Sequence, residues 1–277
     1  MLWRGRQGSS NVEDRRGVSS GGIAAGGGVG AIIIALLYMF LGGDPSQAPQ
    51  LLPGQNTSSG LSAEEKAAED TMAEFIGVVL KETEDTWKSI LQNYQEPTLV
   101  LFRGSVQSGC GGASSASGPF YCPADNKVYI DLSFYNDLRT RFGAPGDFAM
   151  AYVVAHEVGH HVQNLMGTSD RVQKMRQQLS EGGYNQLSVK LELQADFYAG
   201  VWAHYAQNKS KILEEGDIEE ALTAANAIGD DRLQKQSQGH ITPDAFTHGT
   251  SAQRMYWFKK GFETGDIRQG NTFDSDE

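Results

Sequence analysis

AMAYVVAHEVGHHVQNLM, residues 149–166, is apolar enough for a buried helix, yet it contains His156, Glu157, His160 and His161. Buried ionisable groups are costly unless they are paired or bind a metal ion. A spacing of four residues places His156 and His160 on one helix face, where two neutral imidazoles can bind one Zn²⁺. Glu157 lies on the same side and could take the proton of a water molecule that attacks a carbonyl group. The segment therefore predicts a zinc site with two histidine ligands and a glutamate base.

The HExxH pattern alone is also compatible with a structural pair of histidines, so the prediction depends on a third ligand. The next apolar segment, LSVKLELQADFYAGVWAHY (187–205), carries Glu192 and Asp196 on one helix face. Two carboxylates on a buried face would repel each other unless a cation lies nearby. We predict that Glu192 is the third zinc ligand and that Asp196 orients a ligating histidine through its free ring nitrogen. The alternative is that both carboxylates lie on a partly solvated helix.

Two further histidines near these segments are not expected to bind zinc. The side chain of His161 is rotated by one residue around the helix from the metal-binding face. We therefore expect it in the core or beside the ligands. It would be the substitute ligand if Glu192 were not one. His204 lies well round the helix from the two carboxylates, so we expect it on the surface or in a packing role.

The segment GHITPDAFTHGTSAQRMYWF, residues 239–258, offers polar groups from outside the two metal-binding helices. A hydrolase needs a donor to stabilise the oxyanion that forms when a carbonyl group is attacked. His248 is the candidate for this role, and capping or packing is the alternative. Arg254 could bind a carbonyl or carboxylate group of a substrate, or it could pair with Asp230 or Asp231.

Length and charge exclude several classes of protein. The chain has 277 residues, of which 39% are hydrophobic, and this is enough for one main domain. Its net charge is −11, and an acidic surface repels phosphate backbones. The sequence has neither a basic stripe nor a glycine-rich phosphate loop that opens a helix. We therefore expect no nucleic-acid partner and no flavin or nicotinamide cofactor, and Zn²⁺ is the cofactor that the sequence predicts.

The two cysteines, Cys110 and Cys122, lie in a stretch rich in glycine and serine. They could form a disulfide, contribute half of a metal site, or be unrelated thiols. A disulfide would persist only in an oxidising compartment, so the choice depends on where the domain resides.

Residues 22–43 are predicted to form a transmembrane anchor. The apolar or small residues 23–41 number 19, about what a helix needs to cross the core of a bilayer. Four arginines precede this stretch, whereas the first Lys or Arg after it is Lys66, so the positive-inside rule places residues 1–21 in the cytoplasm. A cleaved signal peptide is the alternative. Both interpretations export the remainder of the chain and so favour the disulfide.

Residues 44–61 are rich in proline, glutamine and serine and are predicted to be a linker. Residues 62–277 should then form one α+β domain, mostly helical with a small β-sheet. Ser62 and Glu65 form a capping-box pattern at its start. Hydrophobic periodicity predicts helices at 62–93, 147–166, 186–207, from Asp217 and from near Ser251.

Two segments, 98–106 and 127–135, are rich in β-branched and aromatic residues and are predicted to be strands. The first is expected at the edge of the sheet. An edge strand has free backbone groups, so it could bind an extended peptide substrate by backbone pairing.

The motifs HEVGH (156–160) and ELQAD (192–196) resemble those of gluzincin metallopeptidases, in which an HExxH helix and the glutamate of an ExxxD helix bind zinc. The chain is still more similar to the bacterial neutral zinc metallopeptidase family of YpfJ type. This resemblance implies a zincin-like peptidase domain in the periplasm, held by a single pass through the inner membrane. It runs through almost the whole sequence, in MLWRGRQGSSNVEDRRG, CPADNKVYIDLSFY, AYVVAHEVGHHVQ, ELQADFYAGVWAH, IGDDRLQ and FTHGTSAQRMYWF.

Carried over by position, the resemblance assigns metal binding to His156, His160 and Glu192 and catalysis to Glu157. The gap between the second histidine and Glu192 is longer than in thermolysin-like peptidases, which makes residues 167–186 an insertion that could shape the cleft. The expected activity is hydrolysis of peptides or unfolded proteins. A non-catalytic, membrane-tethered binding module stabilised by zinc is the alternative, although a purely structural site has no use for a base. The sequence predicts no oligomeric state.

Overall fold

A computed structural model describes residues 1–17 and 61–274 of the chain. It contains a four-stranded sheet and a separate two-stranded hairpin. The strands are β1 (Val12–Asp14), β2 (Thr98–Phe102), β3 (Ser105–Ser108), β4 (Gly111–Ser114), β5 (Phe120–Cys122) and β6 (Lys127–Asp131). The sheet has the order β1-β2-β6-β5, in which β1, β2 and β6 are parallel and β5 is antiparallel to β6. Strands β3 and β4 form the hairpin.

The α-helices of the described residues are α1 (Ala63–Ile90), α2 (Ser133–Thr140), α3 (Asp147–Leu165), α4 (Thr168–Arg176), α5 (Glu181–Tyr205), α6 (Asp217–Ala227), α7 (Asp230–Gln238) and α8 (Ser251–Thr264). A mostly helical chain with a small sheet agrees with the predicted α+β class. The predicted capping box of Ser62 and Glu65 is present at the start of α1. Helix α5 begins five residues earlier than predicted, where Ser180 accepts a hydrogen bond from the backbone N–H of Gly183. The predicted insertion at 167–186 contains α4.

Helix α3 lies in the centre of the core. Its side chains are buried almost all round, as expected for a helix without a polar face. The largest apolar side chains around it include Trp87 of α1 and Trp202 of α5, and the Trp202 ring stacks on Phe148 of α3. Because α3 is enclosed, the polar side chains that it carries are held in defined positions.

Helices α5 and α8 pack with their backbones unusually close. A Cβ atom on Gly200 would lie 2.0 Å from the carbonyl oxygen of Phe258, and one on Gly261 would lie 2.1 Å from that of Phe197. Real side chains do not fit at these distances, so both positions require glycine. This close contact brings α8 within reach of the middle of α5.

The predicted strands differ from the observed ones in two places. The segment 98–106 is divided between β2 and β3 by a turn at Gly104, whose φ is 78°. The segment 127–135 is a strand only to Asp131, and its last three residues begin α2. The Asp131 carboxylate accepts hydrogen bonds from the backbone N–H of Ser133 and of Gly104, which ends the strand.

The expectation that 98–106 forms an edge strand is wrong. Strand β2 lies between β1 and β6, so both of its edges are paired. Single-sequence periodicity identifies a strand but not its neighbours, because pairing depends on residues distant in the sequence. Among the described strands, β1 and β5 are at the two ends of the sheet.

Residues 1–17 are part of the same folded unit as residues 61–274. Strand β1 pairs with β2, with Val12 opposite Leu99. Trp3 is buried, and Arg6 donates hydrogen bonds to Glu82 of α1 and to the carbonyl oxygen of Ser210. The sequence predicts instead that residues 1–21 are separate from a domain that begins at residue 62. A strand of three residues with a partner more than 80 positions away leaves no local signal.

The predicted anchor at 22–43 and all but the last residue of the predicted linker at 44–61 lie outside the described residues. No helix within 1–17 or 61–274 is both long and apolar enough to span a bilayer. Of the three possibilities for the cysteines, the structure has the disulfide, with Cys110 bonded to Cys122.

Candidate metal centre

Three predicted ligands converge where α3 crosses α5. His156 Nε2 lies 3.1 Å from Glu192 Oε2, and His160 Nε2 lies 3.4 Å from Glu192 Oε1. One ligand atom from each of the three side chains lies within 4.8 Å of the others. His156 is buried, and the other two side chains are about four-fifths buried.

The donor set fits a zinc ion. Nitrogen and oxygen ligands bind zinc at about 2.0–2.1 Å in a tetrahedron, so neighbouring ligand atoms should be about 3.3 Å apart. The distances of 3.1 and 3.4 Å to the two Glu192 oxygens are close to that value. Catalytic zinc sites that keep a fourth position open also use two imidazoles and one carboxylate as ligands.

Gly159, between the two histidines, allows the helices to meet this closely. A Cβ atom at this position would lie 2.9 Å from the carbonyl oxygen of Ala195 on α5. Without that Cβ atom, the α3 backbone rests against α5 next to Asp196. The helix crossing therefore determines how near Glu192 comes to the histidines.

Asp196 lies directly behind His156. The Nδ1–H group of His156 donates to Asp196 Oδ1 at 2.8 Å, which leaves Nε2 facing Glu192. Arg254 of α8 donates to both oxygens of Asp196, at 2.8 and 3.0 Å, and the hydroxyl group of Tyr152 donates to Oδ1. Arg254 therefore pairs with Asp196, and not with Asp230 or Asp231, the acids named for it from the sequence.

Charge balance at the centre agrees with ionised carboxylates. Burial alone would raise the pKa of Asp196, but Arg254 and His156 lower it to about 2. Burial would likewise raise the pKa of Glu192, and the adjacent His160 and His156 hold it well below its usual value. Both carboxylates are thus ionised at neutral pH, as a cation site requires.

Glu157 and His248 face the same cavity as the ligands. This cavity has a volume of about 760 Å³ and is also lined by Phe120, Tyr121 and Phe134. Glu157 is buried, whereas the His248 side chain is half exposed. The cleft therefore combines a carboxylate, an imidazole and an apolar wall beside the ligand cluster.

Asp230, at the start of α7, holds His248 in place. Its Oδ2 atom accepts hydrogen bonds from the backbone N–H of Thr247 at 2.7 Å and of His248 at 2.6 Å, and its Oδ1 atom lies 3.2 Å from His248 Nδ1. Burial alone would lower the pKa of His248, but the hydrogen bond to Asp230 and the charge of Glu192 raise it. From the sequence, Asp230 was a candidate only as a partner for Arg254.

The family model described as "Putative neutral zinc metallopeptidase" matches residues 1–273. The chain belongs to this family. It is 50% identical to YpfJ of Escherichia coli (strain K12) over 99% of both chains. It is 48% identical to Rv2575 of Mycobacterium tuberculosis (strain H37Rv) over 68% of this chain and 66% of that protein. No solved structure matches the chain.

The two remaining histidines of α3 and α5, His161 and His204, lie away from the candidate ligand cluster. His161 is buried between Tyr121 and the carbonyl oxygen of Gln95, to which its Nε2 atom lies at 2.6 Å. Burial lowers the pKa of His161, so it is neutral at physiological pH. His204 lies 2.8 Å from the carbonyl oxygen of Phe262 and packs between α5 and α8. Both therefore have packing roles in this fold.

Proposed function

We propose that the protein is a zinc-dependent peptidase. The observation that carries this proposal is the convergence of His156, His160 and Glu192 in a cleft that also contains Glu157. A zinc ion bound there would supply a Lewis acid that polarises a peptide carbonyl group and makes a water molecule more acidic. Membership of a zinc metallopeptidase family supports the same activity.

The protein's own residues would handle the protons and charges of the reaction. Glu157, next to the ligands, is the general base that removes a proton from the attacking water and later delivers it to the leaving amine. Protonated His248, oriented by Asp230, donates a hydrogen bond to the oxyanion that forms on the substrate carbonyl group. Asp196 and Arg254 keep His156 oriented.

Substrate would bind in extended form along β5. This strand ends the sheet within the described residues, and its residues Phe120 and Tyr121 line the cleft. A peptide could extend the sheet by hydrogen bonding to the free edge of β5, as extended peptides do at other exposed edges. The aromatic side chains of the cleft favour substrates with apolar side chains near the cleaved bond. Unfolded proteins and flexible peptides can adopt the extended form.

We also propose that the domain works outside the cytoplasm, in the periplasm of a bacterial cell, attached to the inner membrane through residues 22–43. The Cys110–Cys122 disulfide supports export, because cytoplasmic thiols are kept reduced. The 19 apolar or small residues at 23–41 support attachment to a bilayer.

The substitution Glu157→Gln tests the activity. It keeps the size of the side chain and leaves the three ligands in place, so zinc content should stay the same. Hydrolysis of an unfolded protein should fall about 100-fold or more, because the base is lost. Glu64→Gln, on the exposed start of α1, is the matched control and should be fully active.

A non-catalytic binding module makes a different prediction for the same variants. If zinc binds to the wild-type protein and Glu157→Gln leaves hydrolysis unchanged, or if wild-type protein with zinc cleaves nothing, the peptidase proposal is wrong.

A further inference from the structure

His160 contacts a polar group that is not a carboxylate. Its Nδ1 atom lies 2.9 Å from Oε1 of Gln163, three residues further along α3. The Gln163 side chain is fully buried. Its Nε2 atom donates to the carbonyl oxygen of Leu191 at 2.7 Å and to Oε1 of Gln194 at 3.2 Å. Gln194 in turn donates to the carbonyl oxygen of Gly270 at 2.8 Å.

The backbone acceptors at the ends of this series of hydrogen bonds determine the direction of every hydrogen bond in it. The carbonyl oxygens of Gly270 and Leu191 can only accept, so the NH₂ groups of both glutamines must point towards them. The Oε1 atom of Gln163 then faces His160 and can only accept. His160 must therefore carry its hydrogen on Nδ1, which leaves the lone pair of Nε2 pointing at Glu192 and at a bound metal ion.

The same amide also links the two metal-binding helices. Leu191, which receives one of its hydrogen bonds, immediately precedes Glu192 on α5. A single side chain thus orients one ligand and holds the backbone beside another. A carboxylate in its place could accept from His160 but could not donate to Leu191 or Gln194.

We propose that Gln163, supported by Gln194, is a positioning residue that holds His160 in the tautomer needed for metal binding and so raises the affinity for zinc. This role rests on the proposed function, because it requires the three-ligand site to bind zinc. Gln163 touches neither substrate nor metal and acts through His160 and through the backbone beside Glu192.

Two substitutions at one position separate this role from a purely structural one. Gln163→Met and Gln163→Glu both remove the hydrogen bonds donated to Leu191 and Gln194, so both lose the same support between the helices. Only Gln163→Glu keeps an acceptor for His160. We expect Gln163→Met to bind zinc more weakly. Its zinc dissociation constant should be about 10- to 100-fold higher than that of wild type, and about 10-fold or more higher than that of Gln163→Glu. Gln207→Met, which removes a hydrogen-bonded glutamine just beyond the C-terminal end of α5, should bind zinc like wild type.

The measurements are chelator competition for the zinc dissociation constant and histidine side-chain NMR of the zinc-loaded protein. The Nδ1–H signal of His160 should exchange slowly with water in wild type and in Gln163→Glu, and quickly in Gln163→Met. Equal zinc affinities and equal exchange rates for the Met and Glu variants would overturn the positioning role while leaving the peptidase proposal intact. A wild-type protein that does not bind zinc would overturn both.

Discussion

The groups that orient the two histidines of the candidate metal centre differ in charge. His156 donates to the ionised carboxylate of Asp196, whereas His160 donates to the neutral amide of Gln163. The carboxylate needs a counter-charge because it is completely buried, and Arg254 supplies it. A buried ion pair is tolerated only as a pair, since either partner alone would be an uncompensated charge.

Removing the Arg254 cation should therefore destabilise the fold. Arg254→Met keeps much of the side-chain volume but leaves the charged Asp196 without its guanidinium partner, so the free energy of unfolding should fall by about 3–5 kcal/mol. Denaturant unfolding measures this change. Arg268→Met, which removes an exposed arginine paired with Asp266, should leave it nearly unchanged. If Arg254→Met lowered the free energy of unfolding no more than Arg268→Met, the buried ion pair would not be important for stability.

The protonation of His248 predicts how activity depends on pH. Neutral His248 that donates its Nδ1 hydrogen to Asp230 has no hydrogen left for an oxyanion, so the protonated form is required. Burial and the charge of Arg254 lower the pKa of His248, whereas Asp230 and Glu192 raise it, with a net rise above 6.5. Activity that depends on this group should be present below the raised pKa and lost as pH rises through it.

The pH profile of kcat/KM should therefore show an alkaline decline that belongs to His248. Asp230→Asn removes the charge that raises the pKa, so the decline should move to lower pH, and His248→Gln should abolish it. Zinc content, measured at each pH, controls for metal loss. A decline that stays in place in both variants would assign it to another group.

At the scale of elements, two close helix crossings build the centre. Gly159 lets α3 rest on α5, and Gly200 with Gly261 lets α8 rest on α5. The first crossing brings Glu192 to the histidines, and the second brings Arg254 to Asp196. The site thus depends on backbone contacts that only glycine permits.

Gly159→Ala should weaken zinc binding without touching a ligand. The added Cβ atom would lie 2.9 Å from the Ala195 carbonyl oxygen, so α3 and α5 must separate by some tenths of an ångström. Metal sites tolerate errors of only about 0.5 Å, and we expect zinc affinity to fall about tenfold or more. Gly182→Ala is the matched control, because an added Cβ there meets nothing within 4 Å. Equal zinc affinities for the two variants would contradict this account of the crossing.

At the scale of the whole molecule, the first 17 residues belong to the domain. Strand β1 pairs with β2, Trp3 packs edge-on against Phe75, and Lys127 pairs with Glu13. One crossing of a membrane by residues 22–43 would separate this segment from residues 61–274. We therefore expect both segments on the same side of the membrane, in place of the cytoplasmic N-terminus that the arginine pattern predicts.

Labelling of single cysteines checks this arrangement. Gln7→Cys and Gln92→Cys place thiols at exposed positions on the two segments, and the native cysteines are already bonded to each other. A membrane-impermeant maleimide added to spheroplasts should label both positions to the same extent. Label at position 92 with none at position 7 would show that the two segments are on opposite sides.

The sequence alone determined the features that depend on local spacing. Residues four apart on a helix share a face whatever surrounds the helix, so HEVGH and ELQAD identified the two histidines and the two carboxylates. Hydrophobic periodicity identified most helices for the same reason. The same spacing argument could have included Gln163, because it lies three residues after His160. It was not singled out because a glutamine does not indicate a metal site.

Only the tertiary structure decided which distant groups complete the site. Arg254 behind Asp196, Asp230 beneath His248 and β1 beside β2 are contacts between residues that lie far apart in the sequence. The contact of Arg254 with Asp196 depends on how closely α8 packs on α5, which Gly200 and Gly261 control. Local sequence patterns report the shape of one element at a time, whereas these contacts arise from the energy of packing several elements together.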